Sequence, residues 1–456
     1  MGEASRRGGC FDPLNICAVR ENERGNTFNK ETMKKIIRVG IIGLGGFAGS
    51  HHAAVQNLEA EGECRLVCTC DPAPDKFADK MKKFQFAERG VKVSAHYCDM
   101  LDTHGRDLDM VVIPTPVPLH AEMHQACVER GLPVYLEKPP TLDIAELEAM
   151  LAVEARAVRQ TQVGFNYIVE TVCQTLKRRV LAGEFGPVRE VRLLGLWPRA
   201  ITYYTRAAWA GRLMMNGRLV LDFCMGNALA HYVHNLLFWA GDHSLFSWAE
   251  VQAVRSELYR AHAIEGADTV FVEAQLSQGK RFRAAASHAC SGSAQTEEWI
   301  VCDQATVIRT QTQGARIEWH DGRVETLAPD TRNLLMENHR AYYDYLRGVT
   351  DRPLTRLADT RPFVQLCDLT FIAAQSIAPV PSVEVTRSRI STTQAGQSEE
   401  YVAIAGIEAA ARAFITRGQW PSAAGVSWAR PGGSATPNDL PQLSAVVKAM
   451  MVAPSA

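Results

Sequence analysis

The chain has 456 residues, 46% hydrophobic and 22% charged, with a formal net charge of −1. That length and balance suit two or three globular domains, each able to bury a core of its own. They exclude an overall field that draws the protein to nucleic acid or acidic membranes, and no apolar stretch approaches the ~20 residues of a membrane span.

Residues 1–35 read as a polar N-terminal extension, either a disordered tail or sequence upstream of a true start at Met33. Arg6-Arg7 invites an export-signal reading, but Gly8-Gly9-Cys10-Phe11-Asp12-Pro13 leads into no apolar core, so a cytoplasmic protein is expected. The 12 cysteines are scattered without paired spacing, as in a reducing compartment. Cys64, Cys68 and Cys70 read as side chains of one strand rather than a metal site, and no metal is expected.

The first strong signal is the run from Ile37 to Gly49: a short buried strand, a glycine-rich turn and the start of a helix. Gly43-x-Gly45-x-x-Ala48 fits the dinucleotide fingerprint, with Gly46 and Phe47 completing the turn. Gly43 permits the tight turn, Gly45 lets the backbone approach a pyrophosphate, and Ala48 lets the helix pack on the strand. The second apolar run, Cys64 to Cys70, ends in Asp71, whose carboxylate suits both ribose hydroxyls and repels a 2′-phosphate. NAD is therefore expected over NADP.

Strand and helix patterns then alternate. A helix is expected over Lys76–Phe86, a strand at Val91–Val93, a helix near Asp99–His104 and a strand at Met110–Ile113. A helix from His120 to Arg130, a strand at Val134–Leu136 and a helix from Leu142 to Arg159 follow. This alternation implies a parallel sheet covered on both faces, with a domain boundary near residue 160. Beyond it the texture changes to strands of an antiparallel sheet, at Val188–Leu196, Ala249–Leu258, Thr269–Gln275, Arg281–Ser287, Trp299–Val301, Ala305–Thr310 and Arg316–Trp319. Helices are expected at Thr171–Ala182, Ala228–Trp239 and Asn338–Gly348. Residues 161–390 thus form an α+β domain. Residues 391–456 hold a Ser/Thr-rich connector, a helix from Glu399 to Arg417 and a Pro/Gly-rich tail.

Gly43-Leu44-Gly45-Gly46-Phe47-Ala48, Thr115-Pro116 followed by His120, and Glu137-Lys138-Pro139 together resemble the Gfo/Idh/MocA oxidoreductases, the relatives of glucose–fructose oxidoreductase and inositol dehydrogenase. The resemblance continues through Val163-Gly164-Phe165-Asn166-Tyr167 and Gly183-Glu184-Phe185-Gly186, and spans roughly Ile36 to Pro381. It implies an N-terminal Rossmann domain with a parallel sheet (36–160) that binds NAD. A second domain with a large, mostly antiparallel sheet would carry substrate and oligomer contacts, in a homodimer or homotetramer. It also implies hydride transfer between nicotinamide and a secondary alcohol of a sugar, sugar derivative or cyclitol, with no nucleic-acid or membrane partner.

Within that resemblance Lys138 contacts the substrate hydroxyl and, with His231, manages the proton, while Glu137, Thr115, Pro116 and His120 form the cofactor environment. Relatives usually show Asp-x-Gly-x-His-x-x-Asp around the histidine. Here Asn227 stands four residues before His231, and His234 stands where the later Asp is expected. Asn227 cannot hold a negative charge, so Asp222 is its rival for orienting His231. The aromatic and arginine residues Tyr203, Arg206 and Trp209, with Asn166 and His234, are the remaining substrate candidates. Two other functions remain open: an NAD-retaining glycoside hydrolase acting by transient oxidation, and a catalytically inactive NAD-binding interaction protein.

Overall fold

The structure, a computed structural model, describes residues 34–391 and 398–452. The expected N-terminal extension lies outside the described residues except for its last two positions.

The alternation in the first third builds β1 (Ile37–Ile42), α1 (Ala48–Ala60), β2 (Cys64–Cys70), α2 (Ala78–Lys83), β3 (Lys92–Ser94), α3 (Tyr97–His104), β4 (Met110–Ile113), α4 (His120–Glu129), β5 (Val134–Leu136), α5 (Ile144–Glu154) and β6 (Gln162–Val163). These six strands form one parallel sheet in the order β3-β2-β1-β4-β5-β6. The order reverses direction between β1 and β4, which opens a crevice at their carboxyl ends. Both faces are buried, which is why β1 and β4 read as continuous apolar runs. Ile37, Val39 and Ile41 pack with Val55 and Leu58 of α1, while Ile42, Val111 and Ile113 pack with Met123 and Cys127 of α4.

The second region contains α6 (Thr171–Leu181), β7 (Val188–Leu196), α7 (Thr202–Thr205), the short hairpin β8 (Met214–Met215) and β9 (Arg218–Leu219), and α8 (Ala230–Ala240). It continues with β10 (Val251–Arg260), β11 (Thr269–Leu276), β12 (Arg281–Ser287), β13 (Gln295–Cys302), β14 (Ala305–Thr310), β15 (Gly314–Trp319), β16 (Val324–Leu327), α9 (Leu334–Leu346) and α10 (Arg361–Ala374). The chain closes with β17 (Ile377–Pro379), β18 (Val385–Ser391), β19 (Ser398–Ile404), α11 (Ile407–Arg417), β20 (Ser434–Ala435) and α12 (Leu443–Val452).

The large sheet runs β16-β15-β14-β13-β7-β12-β11-β10-β17, with β20 added on β10. It is mostly antiparallel; β7 lies parallel to β12 and β10 parallel to β17. Side chains alternate between two cores, as the two-residue period of a strand requires. Leu193, Val270, Val272, Ala284 and Ala286 face α8 and α10. Leu194, Phe271, Tyr259 and Ala285 face α11, Trp420 and Trp428. The chain's own C-terminal segment therefore covers the second face of β7, β10, β11 and β12.

Several sequence expectations change, among them three helices. The helix expected over Lys76–Phe86 stops at Lys83, because Phe84 and Phe86 both turn inward against His52, at 5.8 and 5.3 Å between rings. Two residues apart cannot share one helical face, and Gln85 between them takes a positive φ of 54°. The helix expected over Leu142–Arg159 shortens to Ile144–Glu154, with Asp143 accepting from Ala145 N at its start (2.9 Å). The helix expected from Glu399 begins only at Ile407. Residues Ser398–Ile404 form a strand paired with β18, and buried Val402 and Ile404 follow strand, not helix, spacing. The Pro/Gly-rich tail also docks: β20 pairs with β10, and Leu443, Val447 and Met450 of α12 enter the core.

Candidate active site

Six site residues of the first domain follow the carboxyl ends of strands. Gly43 comes after β1, Asp71 after β2, Thr115 after β4, Glu137 and Lys138 after β5, and Asn166 after β6. One edge of one sheet thus gathers residues far apart in sequence, at the crevice where open α/β sheets bind ligands.

Gly43 has φ +115°, a conformation that side chains rarely adopt, and its N–H donates to Cys70 O at 2.7 Å. Ala48 is buried at the start of α1, where a larger side chain would separate helix from strand. A side chain at Gly45 would meet the Phe77 ring at 3.2 Å, so that ring would have to give by a few tenths of an ångström. Gly46 also has a positive φ, 50°, and Phe47 stands half-exposed with its ring edge-on to His51 (5.4 Å).

Asp71 is tied to the turn, Oδ2 accepting from Leu44 N at 3.1 Å and Oδ1 from Ala73 N at 3.0 Å. Each carboxylate oxygen retains acceptor capacity for a ribose hydroxyl. Glycine turn, helix N-terminus and fixed carboxylate fit an NAD cofactor. Asp71→Ala should weaken NADH binding about 10- to 100-fold, the value of one or two hydrogen bonds to a charged group. Titration of cofactor fluorescence checks it, and unchanged affinity would remove Asp71 from the ribose site.

Lys138 donates from Nζ to Asn227 O at 3.2 Å. Burial pulls its pKa below the usual lysine value; Glu137 and Asp222 oppose that shift and Arg206 adds to it. Asp222 is buried, with Oδ2 accepting from Gly211 N at 2.6 Å and Oδ1 from Asn227 Nδ2 at 2.8 Å. Burial raises the pKa of Asp222, while those two hydrogen bonds and the charges of Arg206 and Lys138 lower it. The expectation that Asn227 or Asp222 orients His231 is therefore corrected. Asn227 lies ahead of α8, which begins at Ala230, so it is not one helical turn below the histidine. Its carbonyl and Asp222 serve Lys138 instead.

His231 sits in the first turn of α8, its ring stacked on Tyr167 at 4.5 Å. Its Nδ1 is enclosed without a hydrogen-bond partner. Burial, then the charge of Lys138, hold its pKa well below the usual value, so the ring is neutral. His234 does not join it. That ring is fully buried, stacked on Phe165 at 3.9 Å and close to Trp248 at 5.0 Å, because the next helical turn faces the core. Its expected contact with substrate is corrected to packing.

Beneath the His231–Tyr167 stack lies a charge cluster that spacing alone does not reveal. Arg309, 1% exposed, binds Glu298 and Glu170, and its guanidinium lies under Tyr167. Asn235 Nδ2 donates to Glu298 Oε1 at 3.2 Å. Two carboxyls share one cation, and burial pushes Glu298 up from 4.5 to about 7. A carboxyl with a raised folded pKa binds more protons folded than unfolded, so stability falls as pH rises from 4.5 to about 7. Glu298→Gln should flatten that fall, read as Tm against pH; an unchanged slope would assign it elsewhere.

A second network holds Glu137. His51 Nε2 lies 3.0 Å from Glu137 Oε1, His51 Nδ1 lies 3.0 Å from His339 Nε2, and the Tyr343 hydroxyl lies 3.5 Å from His339 Nδ1. The His339 ring donates from one nitrogen and accepts at the other along this chain. Burial keeps His339 neutral. Glu137 Oε2 also accepts from Lys138 N at 3.1 Å, so helices α1 and α9 jointly fix the strand end that carries the lysine. Neither histidine has a local sequence signal, because their partners are brought together only by the fold.

His120 is fully buried, one ring nitrogen facing Thr115 O at 2.8 Å and the other Pro139 O at 3.0 Å. It braces the Thr115-Pro116 loop against the Lys138-Pro139 loop. Asn166 is turned inward, its Oδ1 accepting from Tyr135 Oη (2.9 Å) and Asn338 Nδ2 (2.8 Å), so its expected contact with substrate is corrected to support of the β5–β6 edge. The Arg206 guanidinium lies over Tyr203 at 3.6 Å and Trp209 at 5.0 Å, and its charge reaches both Lys138 and Asp222. This loop thus stands beside the lysine as an aromatic and cationic wall.

Among the described residues no group of three or more His, Cys, Asp or Glu is placed to hold a metal ion. The clustered cysteines are buried in β2, and burial pushes the Cys68 and Cys70 thiols up to about 12. No described helix is long and apolar enough to cross a membrane.

Comparison with known proteins agrees with this geometry. Residues 37–165 match the model of an oxidoreductase family, GFO_IDH_MocA, described as an NAD-binding Rossmann fold. Inositol 2-dehydrogenase 4 of Saccharopolyspora erythraea is 33% identical over 152 residues, 33% of this chain and 42% of that protein. The scyllo-inositol 2-dehydrogenase (NAD(+)) of Bacillus subtilis is 31% identical over 159 residues, 34% of this chain and 43% of that protein. The chain thus spans less than half the length of these curated relatives. Among solved structures, the WlbA dehydrogenase of Chromobacterium violaceum, in complex with NADH and UDP-GlcNAcA, superposes with a TM-score of 0.59 at 22% identity, over 75% of this chain and 94% of that one. The apo scyllo-inositol dehydrogenase of Lactobacillus casei does so with a TM-score of 0.57 at 19% identity, over 74% and 95%. These likenesses extend the two-domain fold beyond the matched segment. The segment 37–165, with its glycine turn, Asp71 at the end of β2 and its Glu-Lys-Pro strand end, matches the NAD-binding Rossmann fold of the Gfo/Idh/MocA oxidoreductase family.

Proposed function

We propose that the protein is an NAD-dependent oxidoreductase acting on a secondary alcohol of a sugar, sugar derivative or cyclitol, with Lys138 and His231 handling the hydroxyl proton. The observation that carries this reading is the half-buried Lys138 amine, whose Nζ donates to Asn227 O at 3.2 Å and on which the charges of Glu137 and Asp222 act. When bound, NAD supplies a hydride acceptor at the nicotinamide ring. The chain's own residues supply position and proton transfer. Lys138, its pKa lowered by burial, takes the hydroxyl proton as the carbinol C–H leaves as hydride. Asp222 and Glu137 stabilise the ammonium so formed. Neutral His231, adjacent to Lys138, presents a ring nitrogen to the same hydroxyl and orients it. Tyr203, Arg206 and Trp209 supply the stacking and hydrogen-bonding wall that a polyol requires.

The inositol dehydrogenase relatives and the fold support this substrate class. The test is to incubate the protein with NAD and a panel of inositols, hexoses and sugar nucleotides and follow reduced cofactor. Stoichiometric NADH with loss of one alcohol is the expected outcome. Release of free sugar from a glycoside without net NADH would replace this reading by the transient-oxidation hydrolase. Tight NADH binding without turnover on any substrate would leave the interaction protein.

A further inference from the structure

We infer, on the reading of Lys138 as the group that takes the hydroxyl proton, that His339 of α9 is a positioning residue for that lysine, acting through His51 and the carboxylate of Glu137.

Both oxygens of Glu137 are engaged. Oε2 accepts from the Lys138 N–H at 3.1 Å, and Oε1 lies 3.0 Å from His51 Nε2. Gly164 leaves the room for this: a Cβ there would stand 2.6 Å from Oε1 and 3.1 Å from the carboxyl carbon. His51 is fully buried in the first turn of α1, and its other nitrogen, Nδ1, lies 3.0 Å from Nε2 of His339, 288 positions away in the chain. His339 is also fully buried, and burial keeps its ring neutral, so it can donate at one nitrogen and accept at the other. Water does not reach the pair to replace a lost partner, so an unmet nitrogen on His51 carries the full cost of its burial.

Glu137 acts on Lys138 in two ways. It holds the backbone N–H at the strand end, and its charge is the largest of those that favour the ammonium. Asp222 acts in the same sense, Arg206 opposes it, and neutral His231 faces the lysine charge. Around Glu137 itself stand His51, His120 and Tyr135, and burial holds the last two uncharged. A shift of that one carboxylate therefore changes both the placement and the proton affinity of the lysine amine.

The His339 ring also stacks on Tyr135, 4.6 Å between centroids and 12° between planes. Two substitutions separate this packing from the hydrogen bond. His339→Phe keeps an aromatic ring over Tyr135 and removes both nitrogens. His339→Gln gives up the stack and keeps an amide at the place of Nε2, able to partner His51.

The experiment measures alcohol oxidation across the pH range in the wild type and both variants. Beside it runs the pH dependence of Lys138 acetylation by acetic anhydride, read by peptide mass spectrometry. Circular dichroism and Tm check folding, and cofactor fluorescence checks NADH affinity. His339→Phe is expected to lower kcat about 10- to 100-fold, the range seen when a partner that orients a functional ligand is removed. KM for the alcohol and NADH affinity stay close to the wild type. The ascending limb of kcat and the acetylation midpoint both move to lower pH, because a loosened Glu137 supports the ammonium less. His339→Gln stays close to the wild type in every reading. Should phenylalanine prevent folding, His339→Leu takes its place with the same expected midpoint. The reverse ranking, an active Phe variant and an impaired Gln variant, would assign His339 to packing. Equal losses in the two, or an acetylation midpoint that stays or rises without the nitrogens, would also overturn the proposal. A wild type that oxidises no alcohol defeats the dehydrogenase reading alone, and the acetylation midpoints then decide the positioning role by themselves.

Discussion

Lys138→Met is expected to lower kcat for alcohol oxidation by about 10²- to 10⁴-fold, the usual contribution of a positioned proton-transfer group, with NADH affinity close to that of the wild type. Methionine keeps the length of the side chain and removes only the amine, so the loss reports on proton handling. The pH profile supplies the second readout. Asp222 favours the charged form of Lys138, so Asp222→Asn lowers the lysine pKa further. The free amine then forms at lower pH, and the ascending limb of kcat against pH moves to lower pH. Steady-state rates of both variants across the pH range check the pair of expectations. Full turnover in Lys138→Met, or a limb that moves upward in Asp222→Asn, would remove the lysine from the chemistry.

Arg309→Met carries the second large effect, this time on stability. Removing the cation leaves the buried carboxyls of Glu170 and Glu298 without their shared counter-ion. Breaking a buried ion cluster in this way costs about 3–5 kcal/mol, because the charges that remain are neither solvated nor paired. The loss shrinks toward acid pH, where burial already favours the protonated form of both carboxyls. Urea unfolding at pH 5 and pH 8 measures both statements. Adding Glu298→Gln to Arg309→Met should recover part of the loss, since one uncompensated carboxylate is then gone. A loss under about 1 kcal/mol at pH 8 would mean that the cluster is hydrated and contributes little. The cluster also bears on function, because Arg309 lies under Tyr167 and Tyr167 stacks on His231. The double variant therefore separates global stability from the placement of the histidine.

Legibility along this chain follows the range of the interactions involved. Gly43 has its positive φ for reasons contained within a few residues, so the turn between β1 and α1 is readable locally. Asp71 and Lys138 are readable for a related reason: each closes a short apolar run, and a parallel strand of this kind ends at the ligand crevice. The helix expected over Lys76–Phe86 failed because Phe84 and Phe86 answer to His52 on another element. Val402 and Ile404 similarly belong to a hairpin whose other strand decides their conformation. His234 and Asn166 carry the right chemistry for a site, and only packing reveals that both face inward.

Sequence by itself determined the parallel nucleotide-binding half, the order of its strands and helices, and the glycine, aspartate and lysine that mark its carboxyl edge. Those features depend on local backbone geometry and on the periodicity of short apolar runs. Tertiary structure alone decided that Asp222 and Asn227 serve Lys138, that His51 and His339 anchor Glu137, that Arg309 supports Tyr167, and that the C-terminal segment packs on the second face of β7, β10, β11 and β12. Each of those contacts joins residues distant in the chain, and the low dielectric of the interior, not any sequence spacing, sets their charge and orientation.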